Sequence, residues 1–142
     1  MERQKITPKR SITEETEKLL NQQIMMEGKS SAAYLSMASW CETHGFEVSS
    51  AFLYKHADEE RMHMLKLFRY VNAAGGQALQ PEISGLKHSF ASLREVFETV
   101  LHHELEVTKS INSIVDHCFQ IKDFATFNFL QWYVMEQREE ET

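Results

Sequence analysis

Glu60 and His63 carry the groups most capable of chemistry in this chain, and they stand one helical turn apart. Apolar residues around them, among them Leu53, Ala57 and Leu67, recur at helical spacing and place both groups on the buried face. An ionised carboxylate in an apolar core is very unfavourable unless something compensates it. Because side chains at i and i+3 project side by side, Glu-x-x-His can bind one metal ion. A buried Glu–His ion pair is the alternative for this pair taken alone.

Each of the three other amphipathic stretches also carries a metal-capable group on its apolar face. These groups are Glu27, Glu104, and Gln137 together with Glu140. A single polar residue on a core face is usually structural, but packing does not explain one in each of four helices. The pattern therefore predicts a site for two divalent cations inside a helical bundle. Oxygen-rich ligands with a single imidazole suit iron or manganese better than a thiol-preferring ion, and zinc could also bind.

The spacing of these groups divides the chain into two similar helical hairpins. Glu60 follows Glu27 by 33 positions, and Gln137 follows Glu104 by the same 33. When the first hairpin is aligned with the second, Glu27 corresponds to Glu104 and Glu60 to Gln137. An approximate two-fold arrangement of ligands around two metal ions follows, in which four carboxylates balance two divalent cations.

Helices are predicted over about 13–42, 47–74, 92–118 and 123–142, with a long connection over 75–91. A connection of this length can cross from one end of a bundle to the other. The expected fold is all-α: a four-helix bundle of two helical hairpins joined by a long crossover, in one domain over residues 1–142. The predicted core line of the third helix includes Phe97, Val100 and Leu101. Residues 1–11 are polar and basic and are expected to form a mobile arm.

Composition argues against several other classes of protein. The net charge of −6 disfavours a nucleic-acid partner and suits a protein that handles cations. The apolar runs fall short of the ~18 residues of a membrane span, and the charged N-terminus lacks the apolar segment of a signal peptide. Cys41 and Cys118 are too few for a disulfide scaffold and are expected to be buried, reduced thiols, as is typical of a cytoplasmic protein.

Histidines other than His63 show no comparable ligand spacing and are interpreted as surface or packing residues. They are His44, His56, His88, His102, His103 and His117.

Several longer runs of the sequence resemble the bacterial non-haem ferritins. The similarity extends from about Leu19 to Glu141, and its main runs are 39–41, 51–53, 58–63, 127–134 and 136–141. It implies the ferritin-like form of the four-helix bundle and a ferroxidase centre within one subunit. In this reading Fe(II) is the substrate, O2 or H2O2 is the oxidant, and the ferric product is stored as mineral if a cage forms.

The resemblance also implies individual roles for the site residues. The first iron would be held by Glu27, Glu60 and His63. The second would be held by Glu60, Glu104 and Glu140, with Gln137 lining the site. A third iron site would comprise Glu59, Glu136, Glu139 and Glu140, although solvated acids are the alternative there. Tyr34 and Trp132 match aromatic residues that supply electrons in the family, with core packing as the alternative for each.

Three departures from related families narrow the expectation. Gln137-x-x-Glu140 stands where rubrerythrins and bacterioferritins repeat Glu-x-x-His, so the site is asymmetric. Arg61 stands where bacterioferritins have methionine, so haem is not expected. The end of the fourth helix and the fifth helix of ferritin subunits are not found, which puts the shell and storage capacity in question while leaving the ligands intact.

The sequence thus predicts a ferroxidase and iron-storage protein that forms a homo-oligomer, with a 24-subunit cage in the family and a dimer as the minimum here. A rubrerythrin-like di-iron peroxidase is one alternative. A non-catalytic helical bundle that binds iron is the other.

Replacing Glu60 or His63 by alanine is expected to abolish rapid Fe(II) oxidation, because each change removes a ligand of the first iron. The helical fold should survive, since neither residue is needed for helix formation. Stopped-flow oxidation together with circular dichroism checks both statements. Oxidation at the wild-type rate in either variant would show that the assignment is wrong.

Overall fold

The structure, a computed structural model, describes the backbone of residues 10–140 and the side chains of residues 10–139. Its elements are α1 (Glu14–Thr43), α2 (Glu47–Ala73), α3 (Leu93–Gln120) and α4 (Phe124–Glu140), and no strand occurs among the described residues. The expected all-α bundle is confirmed. The helix starts and the ends of α1 to α3 lie within about two residues of the predicted ones, whereas the predicted end of the fourth helix at residue 142 and most of the predicted N-terminal arm lie outside the described residues. Among the described residues, no helix is long and apolar enough to cross a membrane.

Side-chain caps explain where the helices begin. Thr13, Ser92 and Asp123 each accept a hydrogen bond from the backbone N–H three residues further on. The Glu95 carboxylate accepts the N–H of Ala91 at 2.8 Å, one residue before the capping serine. These contacts satisfy amide groups that would otherwise lack partners at the first turn.

The crossover between α2 and α3 is fastened along α1. The Asn21 side chain donates to the carbonyl of Gln77 at 3.0 Å and accepts the N–H of Leu79 at 2.9 Å. Further along, Pro81 lies over Gly28, where a Cβ atom would come within 2.7 Å of the proline ring. The absence of a side chain at Gly28 allows this close approach. Beyond the crossover, α3 packs beside α1.

The apolar core consists of two clusters separated along the bundle axis. One includes Ile24, Leu67, Ile111, Leu130 and Tyr133, and all five are at most 1% exposed. The other is built from Tyr34, Met37, Leu53, Val96 and Val100. In each of the first three helices, the predicted metal-binding residues fall between positions that belong to the two clusters. The polar groups therefore form a layer with an apolar wall on either side.

Phe97 and Leu101 were predicted to lie in the core of the third helix, and this prediction is wrong. They are 37% and 56% exposed, whereas Val96, Val100 and Glu104 are buried. The buried line of α3 advances by three or four residues at each step, so positions 97 and 101 point about 100° away from it. With the exposed Leu105 they form an apolar strip on the bundle surface.

The end of α3 is a tight left-handed turn. Lys122 has a φ of 63°, and its N–H bonds to the carbonyl of Phe119 at 3.2 Å. The N–H of Asp123 reaches the carbonyl of Cys118 at 2.8 Å, which completes a Schellman motif. Lysine at the left-handed position is unusual, because glycine adopts this backbone conformation without steric cost.

Changing Lys122 to glycine is expected to stabilise the protein by about 0.5–1 kcal/mol, since relief of the left-handed penalty outweighs the greater freedom of glycine in the unfolded chain. Chemical unfolding at matched protein concentration measures the gain. Lys122→Ala is the control, because it removes the same side chain and keeps the strained backbone. Equal stability of the two variants would contradict the explanation.

Candidate dinuclear metal centre

Side chains from all four helices meet in the polar layer between the two apolar clusters. They are Glu27 from α1, Glu60 and His63 from α2, Glu104 from α3 and Gln137 from α4. Each is at most 7% exposed. The four helices therefore bring these polar side chains together, as the sequence predicted.

Glu27, Glu60 and His63 form the first group capable of holding a metal ion. The Nδ1 atom of His63 lies 3.7 Å from the Oε2 atom of Glu60 and 4.0 Å from the Oε2 atom of Glu27. One ligand atom from each residue falls within 4.8 Å of the others. These are the three residues that the family resemblance implied for the first iron.

His56, Glu60 and Glu104 form a second such group. The Nε2 atom of His56 lies 3.1 Å from the Oε1 atom of Glu104 and 3.6 Å from the Oε1 atom of Glu60. His56 was interpreted as a surface or packing residue; it is buried, and it also lies within reach of the two carboxylates of this group, which sequence reasoning did not indicate. His56 precedes Glu60 by four positions and lies one turn from it on the same buried face, a spacing that would have indicated it.

Glu60 belongs to both groups, and its two carboxylate oxygens point in different directions. Its Oε1 atom is the one nearer to His56, while its Oε2 atom faces His63. A carboxylate shared in this way can bridge two neighbouring cations. The two groups are therefore adjacent and share one carboxylate.

Hydrogen bonds from neutral donors hold the outer carboxylates in place. The Tyr34 hydroxyl donates to the Oε1 atom of Glu104 at 2.5 Å, and the Gln137 amide donates to the Oε2 atom at 2.8 Å. On the opposite side the amide of Gln23 donates to the Oε1 atom of Glu27 at 2.9 Å. Gln23 itself accepts the Ser110 hydroxyl at 2.5 Å. Sequence reasoning missed Gln23, although its place one turn before Glu27 on the buried face was a usable signal.

Burial and the close approach of the carboxylates alter the acidity of the groups in the layer. Burial, followed by the neighbouring carboxylate of Glu60, holds the pKa of Glu27 well above its usual value of 4.5. Burial also acts to raise the pKa of Glu60, but contacts with Glu27, His63 and His56 outweigh it and leave that pKa lowered. The phenol of Tyr34 has a raised pKa because it is buried and lies beside Glu104. A bound cation would relieve the burial cost of both carboxylates.

Several oxygens of the layer also lack hydrogen bonds within the described part of the chain. They are the Oε2 atom of Glu27, both carboxylate oxygens of Glu60 and the amide oxygen of Gln137. Buried polar atoms normally have partners, so a cluster of exceptions requires an explanation. Hard oxygen donors with imidazole nitrogens are suited to divalent first-row cations. The residues present therefore fit a pair of such ions.

The remaining predicted site residues lie at the edge of the centre. Trp132 packs its ring 5.5 Å from that of His63, and a carboxylate oxygen of Glu136 lies 3.8 Å from the Nε2 atom of His63. Glu59 is half-buried and Glu139 is exposed. Over the described side chains, these acids do not form a ligand group like the two above. The side chain of Glu140, predicted to hold the second and third irons, lies outside the described residues.

A four-helix bundle with carboxylates and imidazoles converging in a buried layer is the arrangement found in ferritin-like carboxylate metal proteins. A model of the ferritin-like domain matches residues 17–142. The chain belongs to the ferritin-like family. This membership and the buried ligand groups support ferroxidase activity and iron storage as its function.

Named relatives and solved structures place the chain among the ferritins. It is 48% identical over 130 residues to a probable bacterial non-heme ferritin-like protein of Haemophilus influenzae, covering 92% of this chain and 79% of the relative. Its identity to a bacterial non-heme ferritin of Campylobacter jejuni is 45%, with 92% and 78% coverage. A ferritin of Chlorobium tepidum superposes with a TM-score of 0.89 at 42% identity, over 92% of this chain and 79% of that one. An open pore ferritin of Archaeoglobus fulgidus gives the same TM-score and identity, with 92% and 80% coverage.

Changing Glu27 to glutamine is expected to stabilise the metal-free protein by about 1–3 kcal/mol, because a buried carboxyl that charges at high pH is replaced by a neutral group of the same shape. The folded pKa of Glu27 lies above the unfolded value, so the wild-type protein loses stability as pH rises from about 4.5 through the folded pKa. The gain from the substitution should therefore grow over that window.

Unfolding in the presence of a chelator at several pH values measures this gain in stability. Added Zn(II) then tests whether Glu27→Gln has lost affinity for a metal ion. Added Zn(II) should stabilise the wild-type protein more than Glu27→Gln. Glu98→Gln, on the exposed face of α3, is the matched control. A metal-free Glu27→Gln protein less stable than the wild type at every pH would contradict the electrostatic argument.

Proposed function

We propose that the chain binds two Fe(II) ions in the polar layer and oxidises them with O2 or H2O2. Glu27 and His63 hold the first ion, Glu104 holds the second, and Glu60 bridges the pair. The observation that carries this proposal is the division of the two Glu60 oxygens between the two ligand groups. Glu140 is proposed as a further ligand of the second ion, as the family resemblance implies.

Binding of the ions changes the protonation of the layer. Two divalent cations favour the ionised form of every carboxylate, so Glu27 releases its proton as they bind. Anionic oxygen ligands then stabilise Fe(III) relative to Fe(II), which makes both ions better reductants. Two Fe(II) ions supply two electrons, and O2 takes them up with two protons to give H2O2. A molecule of H2O2 takes up two further electrons and two protons to give water.

Neighbouring side chains orient the ligands and exclude water. Gln23 leaves the Oε2 atom of Glu27 directed at His63, because it occupies the other oxygen. Tyr34 remains a neutral phenol that donates to Glu104. Its ring also lies within the layer, so we propose Tyr34 as a nearby source of one electron. Trp132, against His63, is proposed for the same role from the other side.

The ferric product must leave the layer if the protein stores iron. Glu136 already approaches the outer nitrogen of His63, and its side chain is 47% exposed. We propose that Glu136, with Glu59, Glu139 and Glu140, receives iron as a third site on the way out. Because its acidic side chains are more exposed, iron should enter and leave this third site more readily than the two buried sites.

Family membership implies an oligomeric assembly, and we propose the 24-subunit cage, with a dimer as the minimum. Exposed apolar side chains support burial of further surface between copies. They include Leu35 at 51%, Leu101 at 56% and Leu105 at 51%. We also propose a cytoplasmic location, which is consistent with the free, buried thiols of Cys41 and Cys118.

Aerobic addition of two Fe(II) per chain is expected to give rapid oxidation, followed by ferric absorption in a stopped-flow instrument, with size-exclusion chromatography of the same sample. Rapid oxidation by a large assembly supports both ferroxidase and storage functions. The same rate from a dimer supports the centre and contradicts the cage.

Two variants make this experiment specific to the layer. Glu60→Ala should lose the rapid phase because both ions lose a ligand, whereas Glu98→Ala should keep it. Stoichiometric Fe(II) binding without oxidation above the buffer rate would overturn the ferroxidase proposal and favour a non-catalytic iron-binding bundle.

A further inference from the structure

We propose that His56 is a direct ligand of the second ion, which makes the centre a two-imidazole site rather than the single-imidazole site indicated by Glu60-x-x-His63. The second site is then His56, Glu60 and Glu104, and it takes a divalent first-row cation, with Fe(II) as the substrate. This inference rests on the proposed dinuclear function and specifies the second ligand set.

The distances from His56 to Glu104 and to Glu60 are those expected between neighbouring ligands of one metal ion. Nitrogen and oxygen ligands lie about 2.0–2.2 Å from such an ion, so ligands about 90–110° apart are separated by roughly 2.8–3.6 Å. The Nε2 atom of His56 is 3.1 Å from Glu104 and 3.6 Å from Glu60. The corresponding distances from His63 to Glu60 and Glu27, 3.7 and 4.0 Å, are longer. The second group is therefore the more compact one.

Packing directs the His56 ring into the layer. The side chain is 4% exposed. The ring of Tyr34 meets it edge to face at 4.8 Å, and the ring of Phe52 lies 5.3 Å away. Two aromatic neighbours limit rotation of the imidazole, so its Nε2 atom is held toward the carboxylates before any cation binds. Such preorganisation is what a metal ligand requires.

A simple ion pair with Glu104 explains this arrangement less well. Glu104 already receives the hydroxyl of Tyr34 on one oxygen and the amide of Gln137 on the other. The Oε1 atom of Glu60 is buried, lies 3.6 Å from His56, and has no hydrogen bond among the described residues. A protonated His56 would add a third hydrogen bond to Glu104, whereas its 3.6 Å separation from Glu60 is too long for a hydrogen bond. A cation between His56, Glu60 and Glu104 would also provide a partner for the Oε1 atom of Glu60.

The consequence is that α2 alone supplies both imidazoles and the bridging carboxylate. His56 lies one turn before Glu60, and His63 lies one turn after it. The second ion then retains three protein ligands from α2 and α3 without any contribution from Glu140.

Anaerobic binding of Co(II) to the full chain tests the assignment, because Co(II) reports its ligands spectroscopically without being oxidised. With histidine labelled by 15N, we expect two Co(II) per chain by calorimetry and two histidines with contact-shifted NMR resonances. His56→Gln should lose one of these histidines and weaken the second Co(II) at least tenfold, while the His63 signal remains. Glu140→Ala should keep both histidines. His103→Gln, a change on α3 outside both ligand groups, is the matched control and should behave as the wild type.

His56→Cys provides a second, independent readout. A cysteine that ligates Co(II) gives a thiolate-to-metal charge-transfer band in the near ultraviolet, which the buried Cys41 and Cys118 of the wild type should not produce. Absence of this band with two Co(II) bound would overturn the proposal, as would a single contact-shifted histidine in the wild type. Failure of the wild type to bind Co(II) at all would instead overturn the dinuclear function on which the proposal rests.

Discussion

The burial of Glu60 is the constraint around which the rest of the structure is arranged. It is 1% exposed and lies between two apolar clusters, yet its lowered pKa keeps it ionised. An anion in such surroundings is costly without nearby positive charge. His56 and His63 approach it from either side on the same helix, and each is a group that can bind a cation or carry one charge itself. The layer is therefore built to receive positive charge.

Neutral hydrogen bonds then fix the geometry without neutralising the site. Tyr34 and Gln137 hold Glu104, and Gln23 holds Glu27, all through donors that carry no charge. Cationic side chains in these places would orient the carboxylates equally well, but they would compete with the metal for negative charge. Amide and hydroxyl donors preserve the affinity for cations and still reduce the reorganisation needed when ions bind.

The same physical rules explain what the sequence predicted and what it missed. Helices and their buried lines were predictable, because apolar residues at a 3.6-residue period and the caps at Ser92 and Asp123 are local signals. Phe97 and Leu101 were misplaced because two adjacent apolar lines on α3 compete, and only the packing of α1 and α4 decides which one is buried. His56 was missed because a histidine on a core face usually packs. Its ligand geometry depends on Glu104, which is 48 positions away in the sequence.

The crossover determines whether these separate helix faces become one site. Glu27 lies on α1 and Glu104 on α3, so the two carboxylates would be far apart if the two hairpins did not pack with α3 beside α1. Asn21 and the contact of Pro81 with Gly28 hold the crossover along α1. A larger residue at position 28 would meet the ring of Pro81 and the sulfur of Met64. Gly28, which has no side chain, thus allows the crossover to lie close to the helix that carries Glu27.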